Sequence, residues 1–272
     1  MMNRLKIELQ ILRLFEKLPP EKRTHFTESY DRGKTPCFKF IVMELVGKSV
    51  YNIQKDAPKR EFSLSTAFKL GIQTLEAIEH LHELGKDGEE FGEREGDGRK
   101  GREKGESGRE GGREGGKWKE GKGERKTEGR RREGKESYLH RDIKPHNYSI
   151  GIGQKKNKIY ILDFGIARKF VKKTGTMILR VPRERVKFLG TLKYASRACH
   201  YSKEQSRKDD LEAWLYMQLE FIDPQTIFWA FERDRKNVVV QKEKLFSEEC
   251  KGKTDHVPPE ILKLVQYLDG MQ

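Results

Sequence analysis

Two short motifs constrain this chain more than any other feature. They are Leu139–Asn147, reading LHRDIKPHN, and Asp163-Phe164-Gly165. The first sets Asp142 two residues before Lys144 and five before Asn147. A phosphoryl-transfer site needs such a trio: a carboxylate to orient the proton of an attacking hydroxyl, an ammonium to steady charge on the phosphate, and an amide oxygen for Mg²⁺. The apolar run Ile159 to Leu162 leads into Asp163, where a second magnesium ligand is expected after a short hairpin. Alone, each tripeptide is a common accident, and a lone His140 would read as a packed core histidine. Their order and spacing, with strand-like runs between them, point to one site.

Composition divides the chain rather than describing it. Residues 86–136 hold 51 residues, 45 of them Gly, Glu, Lys or Arg. So few apolar side chains cannot offset the entropy of ordering, so residues 86–137 are expected to be a disordered insertion. All four residue types can be encoded by purines alone, which suggests a purine-rich intron read in frame or a recent repeat expansion. The glycine patterns inside the tract, Gly96-x-Gly98-x-x-Gly101 among them, lack the flanking strand and helix of a nucleotide loop. Its arginines are nearly cancelled by glutamates, a weak footprint for RNA. Of the formal charge of +14, the tract carries only +2, so the basic excess lies in the remainder and suggests acidic or phosphorylated partners. Three scattered cysteines argue for a reducing, cytoplasmic setting without disulfides or structural zinc. No apolar run is long enough to span a membrane.

Along the chain, Leu5, Leu9, Leu12 and Leu14/Phe15 predict a helix over residues 3–18, stopped by Pro19-Pro20. His25 to Asp31 and Cys37 to Leu45 read as two strands around a turn containing Gly33, the second apolar enough to lie buried. Phe62–Leu84 carries Leu64, Phe68, Ile72, Leu75, Ile78 and Leu81 as a helical stripe expected in the core. Tyr148–Ile152 and Lys158–Leu162 read as short strands, and residues 166–190 as basic and irregular. Further helices are expected from the Glu204–Glu212 region to about Phe221, near Asn237–Phe246, and from Pro258 to about Leu268.

The segments VMELVGKSV, HRDIKPHN, LDFG, GTLKYAS and EQSRKDDLE together resemble the casein kinase 1 group of protein kinases, within it the tau-tubulin kinase-like branch. Tyr194-Ala195-Ser196 stands where most kinases have Ala-Pro-Glu, as this group does. The resemblance implies an α+β, protein-kinase-like two-lobe fold. Residues 1–45 would be a partial small lobe, 46–85 the start of the large lobe, and 138–272 its remainder, shortened at the C-terminus.

It also implies roles. Asp142 would be the catalytic aspartate, Lys144 the phosphate-contacting lysine, and Asn147 and Asp163 the magnesium ligands. Glu8 would be the helix glutamate that pairs with the ATP-contacting lysine. Met43 would back the adenine pocket, Glu44 and Val46 would offer hinge backbone groups, and Ser149 would meet the adenine. Leu12, His140 and Phe164 would form the packed column between lobes, and Asp210 would brace the catalytic loop. Lys193 and Arg197, with Arg183 and Arg185, are candidates for reading acidic or already phosphorylated substrates.

The implied cofactors are ATP and Mg²⁺, the implied partners are protein substrates, and the expected state is a monomer, cytoplasmic or nuclear. Nothing before Glu8 supplies a Gly-rich loop or strand lysine, and that is the main departure from the group. The chain is therefore expected to be either a kinase whose first exon is missing from the sequence or a pseudokinase-like module that binds without turnover.

Overall fold

The computed structural model describes residues 4–84, 137–173, 177–250 and 252–271. Nearly all of the Gly/Glu/Lys/Arg tract, and with it the expectation of disorder, lies outside those residues. Ser137 does not: it is fully buried, and its carbonyl accepts from the Phe170 N–H.

In chain order the described elements begin with helix α1 (Arg4–Phe15), strands β1 (Ser29–Lys34) and β2 (Lys39–Met43), and helices α2 (Val50–Asp56) and α3 (Leu64–Glu83). Short strands follow: β3 (Tyr138–Leu139), β4 (Tyr148–Ile150), β5 (Ile159–Ile161), β6 (Arg168–Lys169), β7 (Val171–Lys173) and β8 (Met177–Leu179). Helices α4 (Arg197–His200), α5 (Arg207–Ile222), α6 (Arg235–Leu245) and α7 (Pro259–Gly270) complete them. The strands pair only in antiparallel twos: β1 with β2, β3 with β6, β4 with β5, and β7 with β8. Residues 166–190, read from the sequence as irregular, thus contribute three short strands.

The β1–β2 hairpin turns at Thr35–Phe38 rather than at Gly33. The Thr35 hydroxyl accepts from the Cys37 and Phe38 N–H groups and fixes the turn there. Gly33 sits within β1 opposite Phe40, whose ring occupies the space a Cβ would need. Nor is β2 buried as its apolar content suggested. Val42 within it and Phe38 and Leu45 beside it are exposed.

Helix caps follow the side chains that the sequence offers. Ser49 and Ser63 cap α2 and α3, Asp234 caps α6 through the Lys236 and Asn237 N–H groups, and Asp209 reaches back to the Ser206 N–H at the start of α5.

The core centres on α5, which is buried on nearly every side. Such a helix must satisfy its polar groups internally. Gln218 donates to the Ala67 carbonyl, and Trp214 donates to the Thr74 hydroxyl.

The facing side of α3 follows the stripe of large side chains only in its second half, where Leu75, Ile78 and Leu81 join the core. Ala67, Gly71, Thr74, Ala77, Ile78 and Leu81 are buried, whereas Leu64, Phe68 and Ile72 are exposed. Small residues let the two helices approach closely. A Cβ on Gly71 would lie 2.6 Å from Gln218 Oε1, and Gln218 is fixed by its own hydrogen bond. Gly71→Ala is therefore expected to destabilise by about 1–2 kcal/mol in urea unfolding, despite the better helix propensity of alanine. Adding Gln218→Ala should cancel that loss.

Candidate active site

The site is built on a braced turn. Asp210, in the first turn of α5 and 1% exposed, accepts from the His140 and Arg141 N–H groups, both at 2.8 Å. His82 of α3 lies 2.8 Å from the same carboxylate. Burial alone would raise the Asp210 pKa, but the His82 hydrogen bond and charge, with His140 and the Arg141 N–H, hold it below the ordinary value. Arg141 takes φ of 69°, and its guanidinium donates to the Ile166 carbonyl. The loop is clamped from both sides, and the next residue is Asp142.

Asp142 closes a small ring of contacts. Its Oδ2 lies 2.6 Å from Lys144 Nζ, and its Oδ1 accepts from Thr191 Oγ1 at 2.7 Å. Lys144 Nζ in turn donates to Thr191 Oγ1 at 3.0 Å. Asn147 Nδ2 donates to the Asp142 carbonyl at 2.9 Å. With the amide nitrogen so engaged, the Asn147 side-chain oxygen takes no hydrogen bond among the described residues.

The β4–β5 hairpin aligns the second motif with the first. The Leu162 N–H donates to the Asn147 carbonyl, so Asp163 emerges beside Asn147 at the hairpin mouth. Asp163 adopts φ of 63°, with its Oδ1 accepting from the Gly165 N–H at 3.2 Å. Its carboxylate and the Asn147 amide oxygen are hard oxygen donors of the kind Mg²⁺ takes alongside phosphate and water. No cluster of three or more His, Cys, Asp or Glu that could cage a metal occurs among the described residues. The donor set therefore fits a magnesium ion shared with a phosphate ligand, rather than one bound by protein alone.

Glu8 on α1 lies within the field of Asp163. Burial first, then that carboxylate, raises its pKa. No cation pairs with it among the described residues.

Phe164 packs edge-on against His140 at 5.5 Å and next to Phe26 and Phe15, at 6.0 and 6.4 Å. Leu12 is buried one turn before Phe15. Burial lowers the His140 pKa, against the pull of the carboxylates around it.

Residues Met43 to Lys48 join the β1–β2 unit to the rest of the fold and lie along β4. The Gly47 N–H donates to the Ile150 carbonyl, and the Ile150 N–H to that of Lys48. Met43 is half-buried against the core, with its sulfur 3.9 Å from the Thr27 hydroxyl. The Glu44 N–H is taken by the Glu28 carbonyl, and its carboxylate by Lys155 and the Tyr160 hydroxyl. Val46 has neither backbone group engaged among the described residues. Ser149 is buried in β4, bridged to Ser49.

The basic residues nominated for substrate anions are mostly committed elsewhere. Arg197 lies half-buried over the Phe246 ring, 3.5 Å from its centroid, and pairs with Glu212, Glu243 and Asp269. Lys193 pairs with Glu220 at 2.6 Å, and Arg183 makes a two-point contact with Glu204. Three carboxylates around Arg197 leave no positive charge to offer, which corrects the expectation for that residue. Arg185 alone of the four is exposed and unpaired among the described residues.

Sequence reasoning gave no role to Thr191, His82 or Phe26. Thr191 follows Gly190, whose φ of 119° lets the chain pass close to the Arg141 carbonyl. A hydroxyl directly after such a glycine was the available signal.

A mixed helix and strand fold thus presents an Asp–Lys–Thr–Asn cluster beside an aspartate on a hairpin mouth. The chain is similar over nearly its whole length to proteins named as serine/threonine kinases. Two from Caenorhabditis elegans, named so by inference, are 31% and 29% identical over 269 residues, 99% of this chain. The serine/threonine-protein kinase spe-6 of the same organism is 29% identical over 245 residues, 87% of this chain. The chain spans 64%, 52% and 49% of the length of these three relatives. No family model matches it.

Proposed function

We propose that this chain carries the phosphoryl-transfer machinery of a serine/threonine protein kinase of the casein kinase 1 group, tau-tubulin kinase-like branch. The observation that carries the reading is the closed set of contacts among Asp142, Lys144, Thr191 and Asn147, with Asp163 alongside. Likeness to named kinases supports it. Bound ATP with Mg²⁺ would supply the phosphoryl group. Asp142 orients the hydroxyl of a protein substrate and takes up its proton. Lys144 steadies charge at the transferred group, and Asn147 and Asp163 offer the oxygens for the cation. Val46 offers free backbone groups to a base lying over Ser149. The basic excess outside the Gly-rich tract favours acidic or phosphorylated substrates. Three free cysteines suit a cytoplasmic setting.

A second reading, a binding module without turnover, is favoured by Glu8, which pairs with no cation among the described residues. Thermal unfolding of residues 1–272 with and without Mg-ATP separates the two. For the enzyme, about 100-fold saturation should raise Tm by on the order of 5 °C, an effect lost in Asp163→Asn. No Mg-dependent shift would favour the module.

A further inference from the structure

The loop that lays Thr191 onto Asp142 is held from behind by its carbonyl groups. Lys242 of α6 is completely buried, yet it fills no apolar slot. Its ammonium donates to the Leu192 carbonyl at 3.1 Å and to the Ala195 carbonyl, and lies 3.3 Å from His200 Nε2. The rings of Tyr216 and Trp229 stand 4.6 and 5.6 Å away. The indole N–H of Trp229 takes a carbonyl between them, that of Lys193, at 2.9 Å. Three carbonyls within four residues are thus captured by two side chains from the C-terminal half of the chain.

Such an arrangement is costly unless it holds something in place. An ammonium removed from water loses its hydration, and an apolar side chain of equal length would fill the space more cheaply. Burial pushes Lys242 down to about 7, with Glu212 and Cys199 pulling the other way. The contacts do not depend on its charge, since a neutral amine still has an N–H for each of the two carbonyls. His200 is also pushed down, to about 4, by burial and by Lys242.

We propose that Lys242 is a positioning residue for phosphoryl transfer: it fixes the 191–195 loop by its carbonyls and thereby keeps Thr191 seated between Asp142 and Lys144. The enzymatic half of this rests on the kinase reading; the tether itself does not.

The test is amide hydrogen exchange on the full chain carrying Lys242→Met, which keeps the volume and removes the donors. The Tyr194 and Ala195 N–H groups both close onto the Thr191 carbonyl and report the loop directly. Their exchange should rise at least about tenfold, while the α3 amides of Ala77 and Ile78 stay protected. Trp229→Phe, which removes the neighbouring donor, should loosen the same two amides, and it decides the matter if Lys242→Met fails to fold. Unchanged exchange at Tyr194 and Ala195 overturns the proposal. In a phosphorylation assay, Lys242→Met should lower kcat by about 10–100-fold with KM for ATP unchanged. Loosened amides in a chain whose unmodified form transfers no phosphate would leave the tether standing and sink the kinase reading instead.

Discussion

Asp142→Asn is expected to lower the rate of phosphoryl transfer to a protein hydroxyl by about 10²–10⁴-fold, the range a positioned acid–base group contributes. The amide is nearly the same shape but keeps one oxygen, so it can meet Lys144 or Thr191 as acceptor but not both, while the loop remains clamped by Asp210. On the kinase reading, what is lost is the carboxylate that would accept the proton. The loss should therefore fall on kcat, with Mg-ATP binding, read as the thermal shift, retained. Asp163→Asn should behave in the opposite way, losing the Mg-dependent shift as well as turnover. Thr191→Val is a useful third point. It removes the hydroxyl that bridges Asp142 and Lys144 but neither charge. Its loss should be smaller, about tenfold, as for a group that orients others rather than reacting. Equal turnover in Asp142→Asn and the unmodified chain would remove Asp142 from the chemistry altogether.

The parts of the site legible in the sequence are those fixed by local spacing. Asp142, Lys144 and Asn147 lie within six residues, and the β4–β5 hairpin that brings Asp163 beside Asn147 is itself short. Contacts between distant segments left weaker traces. Thr191 reaches Asp142 across 49 residues, and the glycine before it is the one local sign of that pairing. Arg197 looked like a free cation because the residues that neutralise it, Glu212, Glu243 and Asp269, belong to three different helices. A charge count cannot see such pairing.

The misreading of α3 has a related cause. Leu64, Phe68 and Ile72 are the larger side chains, but the face that meets α5 is chosen by close approach, and there Ala67, Gly71 and Thr74 fit. Periodicity identified the helix and the inner face of its second half, where Ile78 and Leu81 are buried; size misassigned the first half. In the β1–β2 hairpin, Gly33 was taken for a turn residue on its type alone. The Thr35 hydroxyl and the Phe40 ring, both tertiary or turn-specific contacts, decide otherwise.

Asp210→Ala should be the most damaging single change to the fold. It strands two buried backbone N–H groups and the His82 ring nitrogen, each of which now meets a carboxylate oxygen at 2.8 Å. Removing one side of such a buried, hydrogen-bonded charge costs about 3–5 kcal/mol, against a total stability on the order of 5–15 kcal/mol. In a domain of this size that corresponds to a fall in Tm of about 10 °C or more. Asp210→Asn keeps one acceptor oxygen and should lose about 1–3 kcal/mol, the cost of a single buried donor left unpaired. The pH dependence supplies an independent check. Because the folded carboxyl is held below its ordinary value, its contribution is present above about pH 4 and is lost as pH falls through the lower folded value. The stability gap between the unmodified chain and Asp210→Ala should therefore narrow only on acidification below about pH 4, and this group should add no pH dependence to the gap between pH 5 and 7. A gap under about 1 kcal/mol at pH 7 in urea unfolding would mean that water replaces the carboxylate at His140 and Arg141. The turn at His140–Asp142 would then owe its shape to the Arg141–Ile166 contact instead.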